Sequence, residues 1–258
     1  MAPAPSLAFD RHGVGVPVVL LPGLTFGRRT WRAIVERLGE RVSSVAVDLP
    51  AQGESSGSPS DLADVAALVH GLVERLGLED PVVVGHSMSS RVAMIYAASY
   101  PARGAVTVDF PVDVVSFAEM VQRLEPALRG PGFAQAFEPV QRSLGLDLIP
   151  EPLRSEVLAA QEVRQDLVLG YWDEVMRYEP EQVQARVDEV AAAIGVPVLA
   201  VFGQQLSSDQ RDHLRRLVPG IQLEEWPGSG HFVHLADPDR FAARLREFVD
   251  FCEARRHI

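Results

Sequence analysis

The sequence predicts an α/β protein: a mostly parallel sheet flanked by helices, with a helical segment inserted into it. Three observations carry that expectation. Short β-branched runs alternate with amphipathic segments as far as Pro111, the stretch 112–194 has a helical pattern, and alternation resumes at Val196. Regular strand–helix alternation implies parallel strands joined by crossovers, with helices on both faces. The expected division is a core of 1–111 and 195–258 with a helical insertion of 112–194.

Val16 to Leu21 reads as a buried strand ended by Pro22-Gly23. Trp31 to Leu38 is amphipathic and helical, and Val42 to Val47 is the next strand. Asp61 to Leu76 is a second helix, with Ser60 or Asp61 as its N-cap. Val82 to Val84 is so short and apolar that a central position, buried on both faces, suits it. A helix from Ser89 to Tyr100 stops before Pro101, and Val106 to Val108 is a strand. The insertion is rich in Glu, Gln and Arg and is broken at Gly130-Pro131-Gly132 and Pro150-Glu151-Pro152. Strands at Val196 to Phe202 and Ile221 to Trp226 precede a closing helix from Pro238 to Glu253.

A chain of 258 residues, 47% hydrophobic, can bury one sizeable core. Its net charge of −11 and pI near 5.1 argue against nucleic acid or an anionic membrane as partner, because both surfaces would repel it. All of its cationic side chains other than histidine are arginines. The single Cys252 excludes an internal disulfide and a thiolate metal cluster, and reads as half-buried in the last helix. The N-terminus lacks the basic-then-apolar profile of a signal peptide, and no apolar run approaches a bilayer span. A cytoplasmic protein is expected.

The chemistry is concentrated at Gly85-His86-Ser87-Met88-Ser89, between a strand and a helix. A tight strand–turn–helix of this kind projects the serine hydroxyl from the carboxyl ends of the strands. It needs small residues two before and two after the serine. Gly85 and Ser89 occupy those positions, although glycine is more usual at the second. Ser87 as a plain helix N-cap is the competing reading of these five residues alone.

Three further segments extend the pattern: Val18-Val-Leu-Leu-Pro-Gly-Leu24, Asp48-Leu-Pro-Ala-Gln-Gly-Glu-Ser55, and Trp226-Pro-Gly-Ser-Gly-His-Phe-Val-His-Leu-Ala-Asp-Pro238. Together and in this order they resemble the oxyanion segment, the Asp-x-Pro-Gly-x-Gly-x-Ser loop and the histidine loop of the α/β-hydrolase superfamily. Pro22 replaces the family's usual His, and Ala51 one of its glycines. The resemblance covers essentially the whole core. It implies Ser87 as nucleophile, His231 as general base, and backbone N–H groups of Leu24 and Met88 as the oxyanion hole, each donor worth about 3 kcal/mol. It also implies that His86 flanks the nucleophile without acting as the base. His234 reads as structural or cavity-lining, and His12, His70, His213 and His257 as solvated.

The acid is less direct. The family's common Gly-x-x-Asp after the penultimate strand reads Gly203-Gln204-Gln205-Leu206 here. Asp209 is the nearest carboxylate downstream, but Ser207-Ser208-Asp209-Gln210 reads equally well as a helix start. Asp109, followed by Phe110-Pro111 at the end of an earlier strand, is similar in place to the acid of haloalkane dehalogenases and zearalenone-type lactonases. Asp109 is favoured, with Asp209 as the alternative.

Phe110 and Trp172 are the foremost substrate-pocket candidates, with Phe117, Phe133, Phe137 and Tyr171 beside them. The insertion 112–194 resembles the family's helical cap, or lid, and an apolar pocket under it suits a small hydrophobic ester or lactone, cleaved through an acyl-serine with no cofactor or metal. The alternatives are a lyase or cofactor-free oxygenase on the same fold, and a ligand-binding protein with a vestigial triad.

Overall fold

The computed structural model describes residues 6–59 and 61–255. Its centre is a seven-stranded sheet in the order β1-β3-β2-β4-β5-β6-β7. The strands are β1 (Phe9–His12), β2 (Val16–Leu21), β3 (Val42–Val47), β4 (Val82–His86), β5 (Gly104–Val108), β6 (Val198–Phe202) and β7 (Gln222–Glu225). All pairings are parallel except that of β1 with β3.

The expected strands are present, with ends shifted by a few residues. β1 is an addition: its four residues are exposed, so no inward-facing apolar alternation marked it. β4 takes the predicted central place. Val82 and Val84 face one apolar layer and Val83 the other, so hydrophobicity on both sides of the strand is required.

Helices α1 (Arg32–Leu38) and α12 (Pro238–Arg255) cover one face, and α2 (Leu62–Arg75) and α3 (Met88–Ser99) the other. In α12, Phe241, Leu245, Phe248, Val249 and Cys252 recur at helical spacing and form one buried stripe. Cys252 is fully buried, not half-buried. A Cβ at Gly104 of β5 would lie 2.8 Å from its sulfur, so strand and helix meet without room to spare. Burial pushes the Cys252 thiol up to about 12.

Asp61 caps α2, its side chain accepting from Ala63 N–H (2.8 Å); Ser60, the other expected cap, lies outside the described residues. Between β5 and β6 run α4 (Val114–Arg129), α5 (Phe133–Ser143), α6 (Leu153–Ala159), α7 (Gln165–Tyr171), α8 (Asp173–Arg177) and α9 (Pro180–Ala192). They pack largely among themselves and onto α3. Tyr171 ties them to the Asp48 loop by donating to the Pro50 carbonyl (2.9 Å), and Glu162 N–H donates to Thr25 O (2.8 Å). The short α10 (Ser208–Leu217) and α11 (Val233–Ala236) complete the molecule. Among the described residues no helix is long and apolar enough to cross a membrane.

Asp48 explains its own motif. Its buried carboxylate accepts from Arg28 N–H (2.6 Å) and Glu54 N–H (2.9 Å) and pairs with the Arg28 guanidinium. A Cβ at Gly53, which has φ 54°, would lie 2.3 Å from that carboxylate. The loop is a structural clasp around one buried acid.

Candidate active site

Ser87 sits between β4 and α3 with φ 55° and ψ −123°, a backbone conformation that costs a non-glycine residue about 1–3 kcal/mol. Its neighbours hold it there. Ser87 N–H donates to Val108 O on β5 (2.8 Å), and a Cβ at Gly85 would fall 2.1 Å from Ser89 O. Only glycine fits at position 85. Ser89, the departure from the usual glycine, is fully buried and takes part in the turn. Its hydroxyl accepts from His86 N–H (2.9 Å) and donates to Leu21 O (2.8 Å) on β2.

His231 follows a turn in which Gly228 and Gly230 have φ 88° and 65°. Its Nδ1 lies 2.7 Å from Asp109 Oδ2. An ionised carboxylate only accepts, so Nδ1 carries the proton and Nε2 is the acceptor. The other oxygen, Asp109 Oδ1, accepts from Gly203 N–H at the end of β6 (2.9 Å). Asp109 itself has φ 49° and donates its N–H to Val201 O (2.8 Å). Both carboxylate oxygens are thus oriented from outside its own strand.

Asp209 is not brought to His231. It lies exposed in the first turn of α10, whose N-terminus is closed by a capping box between Ser207 and Gln210. Leu206 is buried against Ala200 and Phe202.

The other histidines separate by environment. His86 Nε2–H donates to His231 O (2.9 Å), which ties the elbow to the histidine loop. Burial, then the neighbouring His234 and His231, push the His86 imidazole well below its ordinary value. His234 stacks on Trp31 with centroids 4.4 Å apart, and burial holds it down at about 3, with His231 adding to the shift. Both rings are neutral at physiological pH. His70 and His213 are half-buried, a correction to their expected solvation. His70 stacks on Tyr100, and His213 Nε2 lies 3.2 Å from Asp188. His12 is exposed, and His257 lies outside the described residues.

A sequence model of the alpha/beta hydrolase family matches residues 18–244, most of the chain and every segment just described. The chain belongs to that family. Among curated proteins it is similar to N-formylmaleamate deformylase of Pseudomonas putida, 28% identical over 92% of this chain and 90% of that one. Among solved structures it is similar to a thermophilic esterase from Thermogutta terrifontis (TM-score 0.75, 25% identity, 95% and 93% covered). It also shares the fold of Est816, an N-acyl homoserine lactone degrading enzyme (TM-score 0.77, 19% identity, 94% and 96% covered).

The site opens into a cavity of about 370 Å³. Ser87, His231, Asp109, Leu24 and Met88 all line it. Met88 is the first residue of α3, so its N–H has no intrahelical acceptor. The segment carrying Leu24 passes close: a Cβ at Gly23 would lie 3.6 Å from Ser87 Cβ and 2.9 Å from His86 Nδ1. Phe110, Phe117, Phe137, Tyr171 and Trp172 line the cavity. Phe133 does not; it stacks on Phe137 from outside, with centroids 5.7 Å apart. Among the described residues no group of three or more His, Cys, Asp or Glu could hold a metal ion.

Among the cavity residues that the sequence reading did not single out are Arg91, on α3, and Glu174, on α8. Their partnership spans 83 positions and has no local pattern. The available signal was the placing of Arg91 one helical turn after Ser87.

Proposed function

We propose that the protein is a serine hydrolase that cleaves a small, largely hydrophobic carboxylic ester or lactone through an acyl-serine intermediate. The observation that carries this reading is the 2.7 Å contact between His231 Nδ1 and Asp109 Oδ2 in the cavity that Ser87 also lines. A serine hydroxyl is protonated at neutral pH and becomes a nucleophile only beside a base. His231 Nε2 takes the Ser87 proton as Oγ adds to the substrate carbonyl carbon. Asp109 fixes the tautomer and stabilises the resulting imidazolium.

The carbonyl oxygen, now an oxyanion, receives the N–H groups of Met88 and Leu24. Collapse expels the alcohol, to which His231 returns the proton; in a lactone the alcohol stays tethered to the acyl group. Water, deprotonated by His231, then attacks the acyl carbon; the bond to Ser87 Oγ breaks, His231 returns the proton to Oγ, and the acid is freed. The insertion 112–194 serves as the cap that walls the cavity and sets which acyl or alcohol groups enter.

An organophosphonate tests the reading. It should label Ser87 stoichiometrically, with labelling lost in Ser87→Ala, and a panel of nitrophenyl esters should be turned over. An unlabelled protein with no esterase activity would return the lyase and ligand-binding alternatives to first place.

A further inference from the structure

Besides Asp109, the charged side chains lining the cavity are Arg91 and Glu174, set among Phe117, Phe137, Trp172 and Val175. Arg91 follows Ser87 by four residues along α3, a rise of about 6 Å. Its guanidinium donates to Glu174 in a fork: Nη1 to Oε2 at 2.7 Å and Nη2 to Oε1 at 2.9 Å. The two side chains are only 9% and 13% exposed. Arg186 stands 3.7 Å from Glu174 Oε1, on the more exposed side.

The pair has capacity left over. Arginine has five N–H donors, of which the fork uses two, and Arg91 Nε is buried with no acceptor among the described residues. The Glu174 carboxylate likewise keeps lone pairs beyond the two that Arg91 occupies. Arg91 Nε has almost no accessible surface and does not open to the cavity, so what the pair can offer a ligand is the second hydrogen of each Nη and the spare carboxylate lone pairs.

Three kinds of group could meet this wall. An alkyl chain would cover the remaining polar atoms of the pair and give them no hydrogen bond in return. A carboxylate could accept from Arg91 but would set a second negative charge against Glu174, with only Arg91 and the more exposed Arg186 to balance both. A hydroxyl or an amide can accept from Arg91 and donate to Glu174 at once, at no cost in charge.

We propose that Arg91 and Glu174 form a polar subsite for a neutral group that both donates and accepts a hydrogen bond. The substrate is then an ester or lactone carrying a hydroxyl or amide several bonds from its reacting carbonyl, with Glu174 excluding carboxylates there. The substrate class so named rests on the ester-hydrolase reading; the subsite itself can be tested apart from it.

The test uses two ester series that differ only at the chain end. One has 4-nitrophenyl hexanoate, 6-hydroxyhexanoate and adipate monoester; the other has the acetate esters of hexan-1-ol, hexane-1,6-diol and 6-hydroxyhexanoate. In at least one series the wild-type protein should show kcat/KM at least about tenfold higher for the hydroxyl end than for the carboxylate, and higher than for the methyl end. Because the whole protein is anionic, the decisive quantity is the change in that ratio. Glu174→Gln should lower the hydroxyl-to-carboxylate ratio about tenfold, and Arg91→Met should bring hydroxyl-to-methyl close to one. Each ratio is taken within one protein, so a general loss of activity or stability cancels.

Ratios unmoved by both substitutions, or a wild-type preference for carboxylate, would overturn the subsite and leave the pair as a strut between α3 and α8. Should the wild type fail even on 4-nitrophenyl acetate, the ester-hydrolase reading fails by itself. Calorimetric titration of the same protein with hexanamide and with hexanoate then decides: tighter amide binding upholds the subsite, and the reverse order rejects it.

Discussion

The carboxyl ends of β5 and β6 lie side by side, in register from Ala105↔Val198 to Val108↔Val201, yet they end in opposite chemistry. β5 ends in Asp109, whose carboxylate faces His231. β6 runs into Gly203 and Leu206, and Leu206 is buried in a small apolar cluster. The end of β6 still contributes to the site through its backbone. Gly203 N–H orients Asp109, and a Cβ at Gly203 would lie 1.9 Å from Gly230 O, so the histidine loop rests directly on it. An acid can therefore stand one strand over, about 4.8 Å away, and reach the same imidazole while the neighbouring glycine supports both.

The sharpest way to break this comparison is to neutralise each carboxylate in turn. Asp109→Asn should lower kcat on a nitrophenyl ester by about 10⁴, the scale seen when a triad acid is replaced by its amide and the imidazole takes the wrong tautomer. Asp209→Asn should stay within about twofold of wild type, since that side chain is exposed on α10. Equal losses, or a loss confined to Asp209→Asn, would move the acid to the other position.

A smaller effect is expected from Leu206→Asp, which restores the family's usual residue. Leu206 is 3% exposed, and its N–H already donates to Glu225 Oε2 (3.0 Å), a second carboxylate close by. Losing the apolar burial and placing a charge there should cost about 3 kcal/mol, read as a lower denaturant midpoint. If instead the variant folds normally and restores turnover to Asp109→Asn, the packing at β6 is not what fixes the acid on β5.

The fold and the site were legible to different depths, for physical reasons. Ser87 could be read because a strained turn allows few residue types at five adjacent positions. β4 could be read because a strand buried on both faces must be apolar throughout. β1 could not, since its four exposed residues carry no pattern. Choosing between Asp109 and Asp209 depended on which strand end faces His231, a tertiary fact that one missing Asp at position 206 only hinted at. In the insertion, Phe133 and Phe137 share one helix face by spacing, and only packing decides that Phe137 reaches the cavity.

The contrast between partnered and unpartnered groups extends to the histidine loop and yields the smallest effect. His231 has a carboxylate at Nδ1, whereas neither ring nitrogen of His234 has a partner among the described residues. Burial holds His234 near 3, against an ordinary value of 6.5, and pushes His86 down in the same direction. Below pH 6.5 the unfolded chain takes up a proton at each ring that the folded protein refuses. Stability contributed by these neutral rings is therefore complete above pH 6.5 and is lost as pH falls below it, for His234 down to about 3. Well inside that window His234 contributes a slope of about 1.4 kcal/mol per pH unit. His234→Phe keeps a ring against Trp31 and removes one of the two titrating groups. Urea unfolding of this variant between pH 6 and pH 4 should show the slope reduced by about that amount, with stability near wild type at pH 7.5. An unchanged slope would mean that His234 takes up its proton without unfolding, and that the pocket beside Trp31 admits a charge which its apolar walls should refuse.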